Sequence, residues 1–84
     1  MSPQEIQALI SQGIDGATVM VEGADGRHFS ATVISDRFSG LTPVKKQQLV
    51  YATIGEQVTS GAIHAITLQT FTVAEWEKKQ KSGF

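Results

Sequence analysis

Two histidines, His28 and His64, are the side chains of this chain best suited to hold a metal, because a neutral imidazole presents a lone pair near neutral pH. The sequence contains no cysteine, which removes disulfides, thiol catalysis, thiolate-bound zinc and any cluster held by the chain's own sulfur. A metal would have to be bound by His, Asp or Glu, and two histidines do not complete a four-coordinate site. A site shared with a partner would supply the shortage. A second group, Lys45 and Lys46 with Arg27 and Arg37 upstream, is either a local positive patch or a solvated surface. Aromatic residues are not interleaved with these charges as stacking platforms for nucleic acid would require.

Nothing in the sequence assembles a catalytic constellation. There is no Gly-x-Ser-x-Gly elbow, no Walker-type loop and no Gly-x-Gly-x-x-Gly, and the carboxylates are scattered. The chain is therefore read as a non-enzyme. A formal net charge of -1 argues against broad charge-driven binding to nucleic acid, which needs an excess of Lys and Arg to displace counterions.

The elements that must position these residues follow from pattern. With 84 residues, 40% hydrophobic and 18% charged, the chain reads as one domain over 1–84, with a core at about 2–80 and a short C-terminal tail at 81–84. No apolar run approaches a bilayer span, and the N-terminus lacks signal-peptide character, so the expected compartment is the cytoplasm and no membrane is expected among the partners. Ser2-Pro3-Gln4-Glu5 predicts a capping box, with Met1 and Ile6 as a staple, opening a helix whose apolar face is Ile6, Leu9 and Ile10 and which Gly13 ends. Ala17 to Glu22 alternates as a strand with Val19 and Val21 inward. Gly23-Ala24-Asp25-Gly26 supplies a hairpin turn. The return strand, His28 to Ser35, puts Phe29, Ala31 and Val33 inward and His28, Ser30 and Thr32 outward.

Asp36 to Gly40 reads as a loop carrying Arg37 and Phe38. Thr42-Pro43 starts the longest helix, to about Thr59, with Val44, Tyr51, Ile54 and Val58 predicted as its core face. Lys45, Leu49, Ala52 and Glu56 are predicted to lie opposite. A third strand spans Ala62 to Phe71, with His64 on the face of Ile66 and Leu68. There His64 is either a half-buried histidine satisfied by one hydrogen bond or a ligand with one nitrogen free at the sheet rim. Thr72-Val73-Ala74-Glu75 is a second capping box, stapled by Phe71 and Trp76, and it opens a last helix with Lys78, Lys79 and Lys81 near its end. The order is an α+β layer arrangement with helices on one face of the sheet.

Three stretches give this pattern a likeness. Arg27-His28-Phe29 followed by Val33-Ile34-Ser35-Asp36-Arg37-Phe38-Ser39-Gly40, then Lys46-Gln47-Gln48-Leu49-Val50-Tyr51-Ala52, then Ile63-His64-Ala65 through Trp76, resemble the BolA-like family in the right order over nearly the whole chain. The short link between the first two strands looks most like its small bacterial IbaG/YrbA-type subgroup. The resemblance implies the fold α-β-β-α-α-β-α, similar to a class II KH domain with a three-stranded sheet, including a short helix around Phe38 to Thr42 that pattern alone does not show. It further implies pairing with a monothiol glutaredoxin of the Cys-Gly-Phe-Ser type and a shared [2Fe-2S] cluster. The partner and glutathione would supply thiolates, with His64 as a ligand from this chain and His28 as the candidate second ligand. No cofactor is expected on the isolated chain.

The resemblance leaves three functions in view. The first is an iron–sulfur assembly, trafficking or sensing adaptor. The second is a KH-like DNA-binding transcriptional regulator, with Arg37, Lys45 and Lys46 at the contact surface. Here Gly40-Leu41-Thr42-Pro43 has Pro where a KH Gly-x-x-Gly loop has Gly, which weakens RNA clamping. The third is an interaction module forming a homodimer through the outer face of the long helix around Leu49.

Overall fold

Ser2 opens the first helix by accepting a hydrogen bond from the Glu5 amide at 3.2 Å, while the Glu5 carboxylate accepts one from the Ser2 amide at 3.0 Å. This reciprocal cap, with Pro3 in the first turn, fixes α1 at Pro3–Gly13 in the computed structural model, which describes residues 1–23 and 25–81. The expected turn residue Ala24 and the tail residues 82–84 lie outside the described residues. Ile6, Ile10 and the following Ile14 are buried, with Leu9 packed beside them.

α1 ends at Gly13 as expected, although not through a left-handed glycine at that position. Gly13 is the last helical residue, and the backbone first turns left-handed at Gly16, with φ 71. What Gly13 provides is proximity, since a Cβ there would collide with the Thr53 methyl of the second long helix. The missing side chain lets the two helices pack closely.

The sheet is ordered β1-β2-β3, with β1 at Thr18–Glu22, β2 at His28–Ile34 and β3 at Ala65–Phe71. β1 runs antiparallel to β2, pairing Val19 with Val33 and Val21 with Ala31. β3 runs parallel to β2, pairing Ala65 with His28 and Phe71 with Ile34. Parity puts Val19, Phe29, Ala31 and Val33 into the core beneath α1, whereas Met20, Glu22, Ser30, Thr67 and Gln69 stand exposed on the other face. The β2–β3 link is a crossover, as parallel strands require. Its first part, expected as a plain loop, is a single 3-10 turn at Asp36–Phe38 capped by Ser35, and it sinks Phe38 completely into the core. This is the short helical element the family resemblance implies, lying earlier than Phe38 to Thr42.

The second long helix, α2, spans Pro43–Thr59 with Thr42 as its cap. Its core face differs from the expected one. Val50 and Ile54 are buried, whereas Val44, Tyr51 and Val58 are exposed. Leu49, expected on the outer face, packs half-buried against the core. The true inner stripe contains polar residues. Gln47 donates to the Leu68 carbonyl at 3.2 Å, and Lys46 runs along the inner side to reach Glu75.

The last helix, α3, spans Val73–Lys81, with Thr72 and Glu75 forming the expected reciprocal cap and the Trp76 ring against Phe71 at 5.3 Å. Among the described residues no helix is long and apolar enough to cross a membrane.

Candidate functional site

The Asp25-Gly26-Arg27-His28 run turns the chain into β2 and carries the first site residue. Asp25 Oδ1 accepts from the backbone amides of Arg27 and His28, both at 2.9 Å, and Oδ2 lies 2.8 Å from His28 Nδ1. The His28 amide, then the His28 ring and the Arg27 amide, all stabilise the carboxylate and hold it well below the usual range. Asp25 is therefore ionised at neutral pH and can only accept. The proton of this contact sits on His28 Nδ1, which leaves Nε2 of the neutral ring with its lone pair.

His64 arrives from the other end of the crossover. α2 ends at Thr59, and the following turn is pinned by the Ile63 amide donating to the Gln57 carbonyl at 3.0 Å, with Ile63 buried. Strand pairing begins one residue after His64, where the Ala65 amide donates to Arg27 at 3.2 Å. His64 thus precedes β3, which starts at Ala65 rather than at Ala62. It does not share the half-buried face of Ile66 and Leu68, because the bend before the strand breaks the alternation. Its side chain is exposed, which removes the reading of a half-buried core histidine.

The two rings meet. The parallel register sets His28 beside Ala65, and the imidazoles of His28 and His64 lie edge to face with centroids 5.5 Å apart. Two imidazoles bound to one tetrahedral ion at ordinary nitrogen–metal lengths have ring centres ~5 Å apart, so the spacing fits a shared ion. No group of three or more His, Asp or Glu able to hold a metal occurs among the described residues. The chain thus offers an incomplete ligand set, two exposed imidazoles in contact, and the rest would have to come from another molecule.

Residues 11–75 match the BolA-like protein family. The chain belongs to that family. Over its full length this BolA-like chain is 36% identical to the acid stress protein IbaG of Escherichia coli K12, covering 100% of both sequences. It is 35% identical over 57 residues to the E. coli DNA-binding transcriptional regulator BolA, covering 68% of this chain and 53% of that one. The solved structure of a BolA protein homologue from Coxiella burnetii superposes with a TM-score of 0.82 at 36% identity, covering 92% of this chain and 97% of that one.

The basic residues are arranged differently from the histidines. Arg37 Nη1 lies 4.0 Å from the Asp15 carboxylate. Lys46, with a side chain only 15% exposed, pairs with Glu75 at 3.4 Å. Lys45 stands exposed on the outer side of α2. Two of the three candidate nucleic-acid contacts thus already face a carboxylate. Asp25 is the site residue that the sequence reading passed over, since Asp-Gly was read for its turn chemistry alone. The readable signal was the three-residue step from Asp25 to His28, which suits an Asx turn that also reaches the ring.

Proposed function

We propose that this BolA-like chain is an iron–sulfur adaptor that completes a [2Fe-2S] cluster held with a cytoplasmic monothiol glutaredoxin and glutathione. In this reading His64 and His28 are its two nitrogen ligands. One observation carries the proposal: two exposed imidazoles from distant parts of the chain stand in contact, and a carboxylate at Nδ1 of one leaves its Nε2 lone pair unused by that contact. The absence of cysteine fits a chain that brings nitrogen to a partner that brings sulfur. Imidazole in place of thiolate raises a cluster's reduction potential and makes ligation sensitive to pH, properties suited to transfer or sensing. The chain's own part is to orient two nitrogens and present them on a small rigid surface, with no bond-making step of its own.

Cluster reconstitution with purified glutaredoxin and glutathione tests this reading. A visible-absorbing heterocomplex is expected, with His64→Ala shortening the cluster's lifetime and shifting its spectrum, and His28→Ala doing the same. Unchanged spectra and lifetime in His64→Ala would sink the proposal.

A second reading is DNA binding, favoured by the likeness to the E. coli DNA-binding transcriptional regulator BolA. It predicts salt-sensitive binding lost in Lys45→Glu/Lys46→Glu. No binding at low salt removes it.

A further inference from the structure

Among the described residues the long helix leaves one face largely exposed, and that face is patterned. Val44, Tyr51 and Val58 recur every seven residues along α2 and are 65%, 38% and 39% exposed. At 3.6 residues per turn they form one stripe, drifting only ~20° per step. Gln48 and Gly55 lie beside it. Gly55 has helical backbone with no positive φ, and a Cβ there would meet no atom within 4 Å. Nothing among the described residues accounts for a glycine in mid-helix, whereas close approach of another backbone does. On the flank of the same face stand Lys45 and Glu56, both exposed and neither in an ion pair among the described residues.

These positions are symmetric. Tyr51 is the midpoint of Val44 and Val58. The midpoints of Lys45 with Glu56, and of Gln48 with Gly55, fall within half a residue of it, under ~1 Å along the axis. An antiparallel helix pair with its twofold axis at Tyr51 sets Val44 against Val58, Tyr51 against Tyr51, and Gln48 over Gly55. It also brings each Lys45 to the opposite Glu56, because in an antiparallel pair each flank meets the same flank of its mate. We infer that this face of α2 docks a second copy of the chain in a twofold α2–α2 pairing, with Lys45 and Glu56 supplying complementary charge twice across the axis. The surface differs from the Leu49 face expected from sequence, since Leu49 packs inward. It lies on the outer layer, whereas the two histidines sit where β2 and β3 begin, so the inference does not depend on the cluster reading.

A single pair of short helices buries less than the ~1,200 Å² of a stable complex, so the association is weak, in the range of tens to hundreds of micromolar. Sedimentation velocity on the full chain, from ~10 µM to ~1 mM, reads it. Tyr51→Glu is expected to leave a monomer with its melting temperature unchanged. Lys45→Glu and Glu56→Lys should each weaken association about tenfold, since each replaces two attractions by two repulsions. The double swap Lys45→Glu/Glu56→Lys should restore the wild-type constant. A wild-type chain monomeric at the highest concentration overturns the inference, as does a double swap that fails to rescue. Loss of glutaredoxin binding in Tyr51→Glu, with wild type monomeric, would assign the stripe to that partner and equally overturn it.

Discussion

Asp25→Asn separates the orientation of His28 from the fold around it. Asp25 accepts three contacts, two from backbone amides at Oδ1 and one from the His28 ring at Oδ2. Asparagine keeps an oxygen for the amides, so the turn into β2 survives with weaker, uncharged bonds. At the Oδ2 position it places an NH₂ group, which donates and cannot accept. The neutral His28 ring must then accept at Nδ1 and carry its proton on Nε2, the nitrogen proposed to face the metal. Loss of a carboxylate behind a ligating histidine generally costs 10–100-fold in metal affinity. Here the Asp25 side chain is 54% exposed, so solvent screening puts the expected loss near the lower end, about tenfold. Two measurements check it. Nitrogen-15 imidazole spectra of the isolated chain at about pH 8, above the ordinary histidine range, should show His28 protonated at Nδ1 in wild type and at Nε2 in Asp25→Asn. The heterocomplex should lose its visible absorption about ten times faster in the variant. A wild-type His28 protonated at Nε2 would refute the orientation, and an equally durable cluster in Asp25→Asn would refute its relevance to ligation.

Further outcomes are expected from the fold. Phe38→Ala, at a side chain with no exposure, should cost ~3–5 kcal/mol and lower the melting temperature by well over 10 °C, or unfold so small a domain. Gly13→Ala should destabilise despite the better helix propensity of alanine, by ~1 kcal/mol or more from the collision with Thr53, and Thr53→Ser in the same chain should recover the loss by removing the methyl. Thermal melts should also show acid sensitivity. Hydrogen bonds from the Ser2 amide and hydroxyl hold Glu5 below its ordinary value, and those from the Thr72 amide and hydroxyl, aided by Lys46, do the same for Glu75. Both folded values are depressed, so this stabilisation is present above the unfolded glutamate pKa near ~4.3 and is lost as pH falls through the folded values. Glu5→Gln/Glu75→Gln should melt lower near neutral pH and show a flatter acid limb, and an unaltered acid limb would contradict the assignment.

Capping chemistry was the most legible part of the sequence, because Ser2 with Glu5 and Thr72 with Glu75 act through local bonds that need no tertiary partner. The strand faces were legible for the same reason, since period-two alternation fixes Phe29, Ala31 and Val33 on one side. The face of α2 was not, because two stripes compete. The exposed stripe of Val44, Tyr51 and Val58 is as apolar as the buried one, which includes Gln47 and Lys46 held by a carbonyl and a carboxylate elsewhere in the fold. Single-helix patterning cannot see those partners. His64 was misplaced by continuing strand alternation through a bend that only the Ile63 anchor reveals. Its contact with His28 depends on a parallel register, which local pattern does not encode.

That parallel register has a kinetic consequence. A hairpin site can form from neighbouring residues within microseconds, but β2 and β3 meet only after the chain has closed the crossover through α2, and such non-local contacts are slow to form. The histidine pair therefore comes into being with the finished sheet and is absent from the nascent chain, whose two separate imidazoles hold metal poorly. Whatever binds both rings binds the folded state alone and draws the equilibrium toward it in proportion to its concentration over its dissociation constant. Occupancy of the pair is thus a report on the completed fold, because any ligand that requires both rings is held only by a chain that has finished folding.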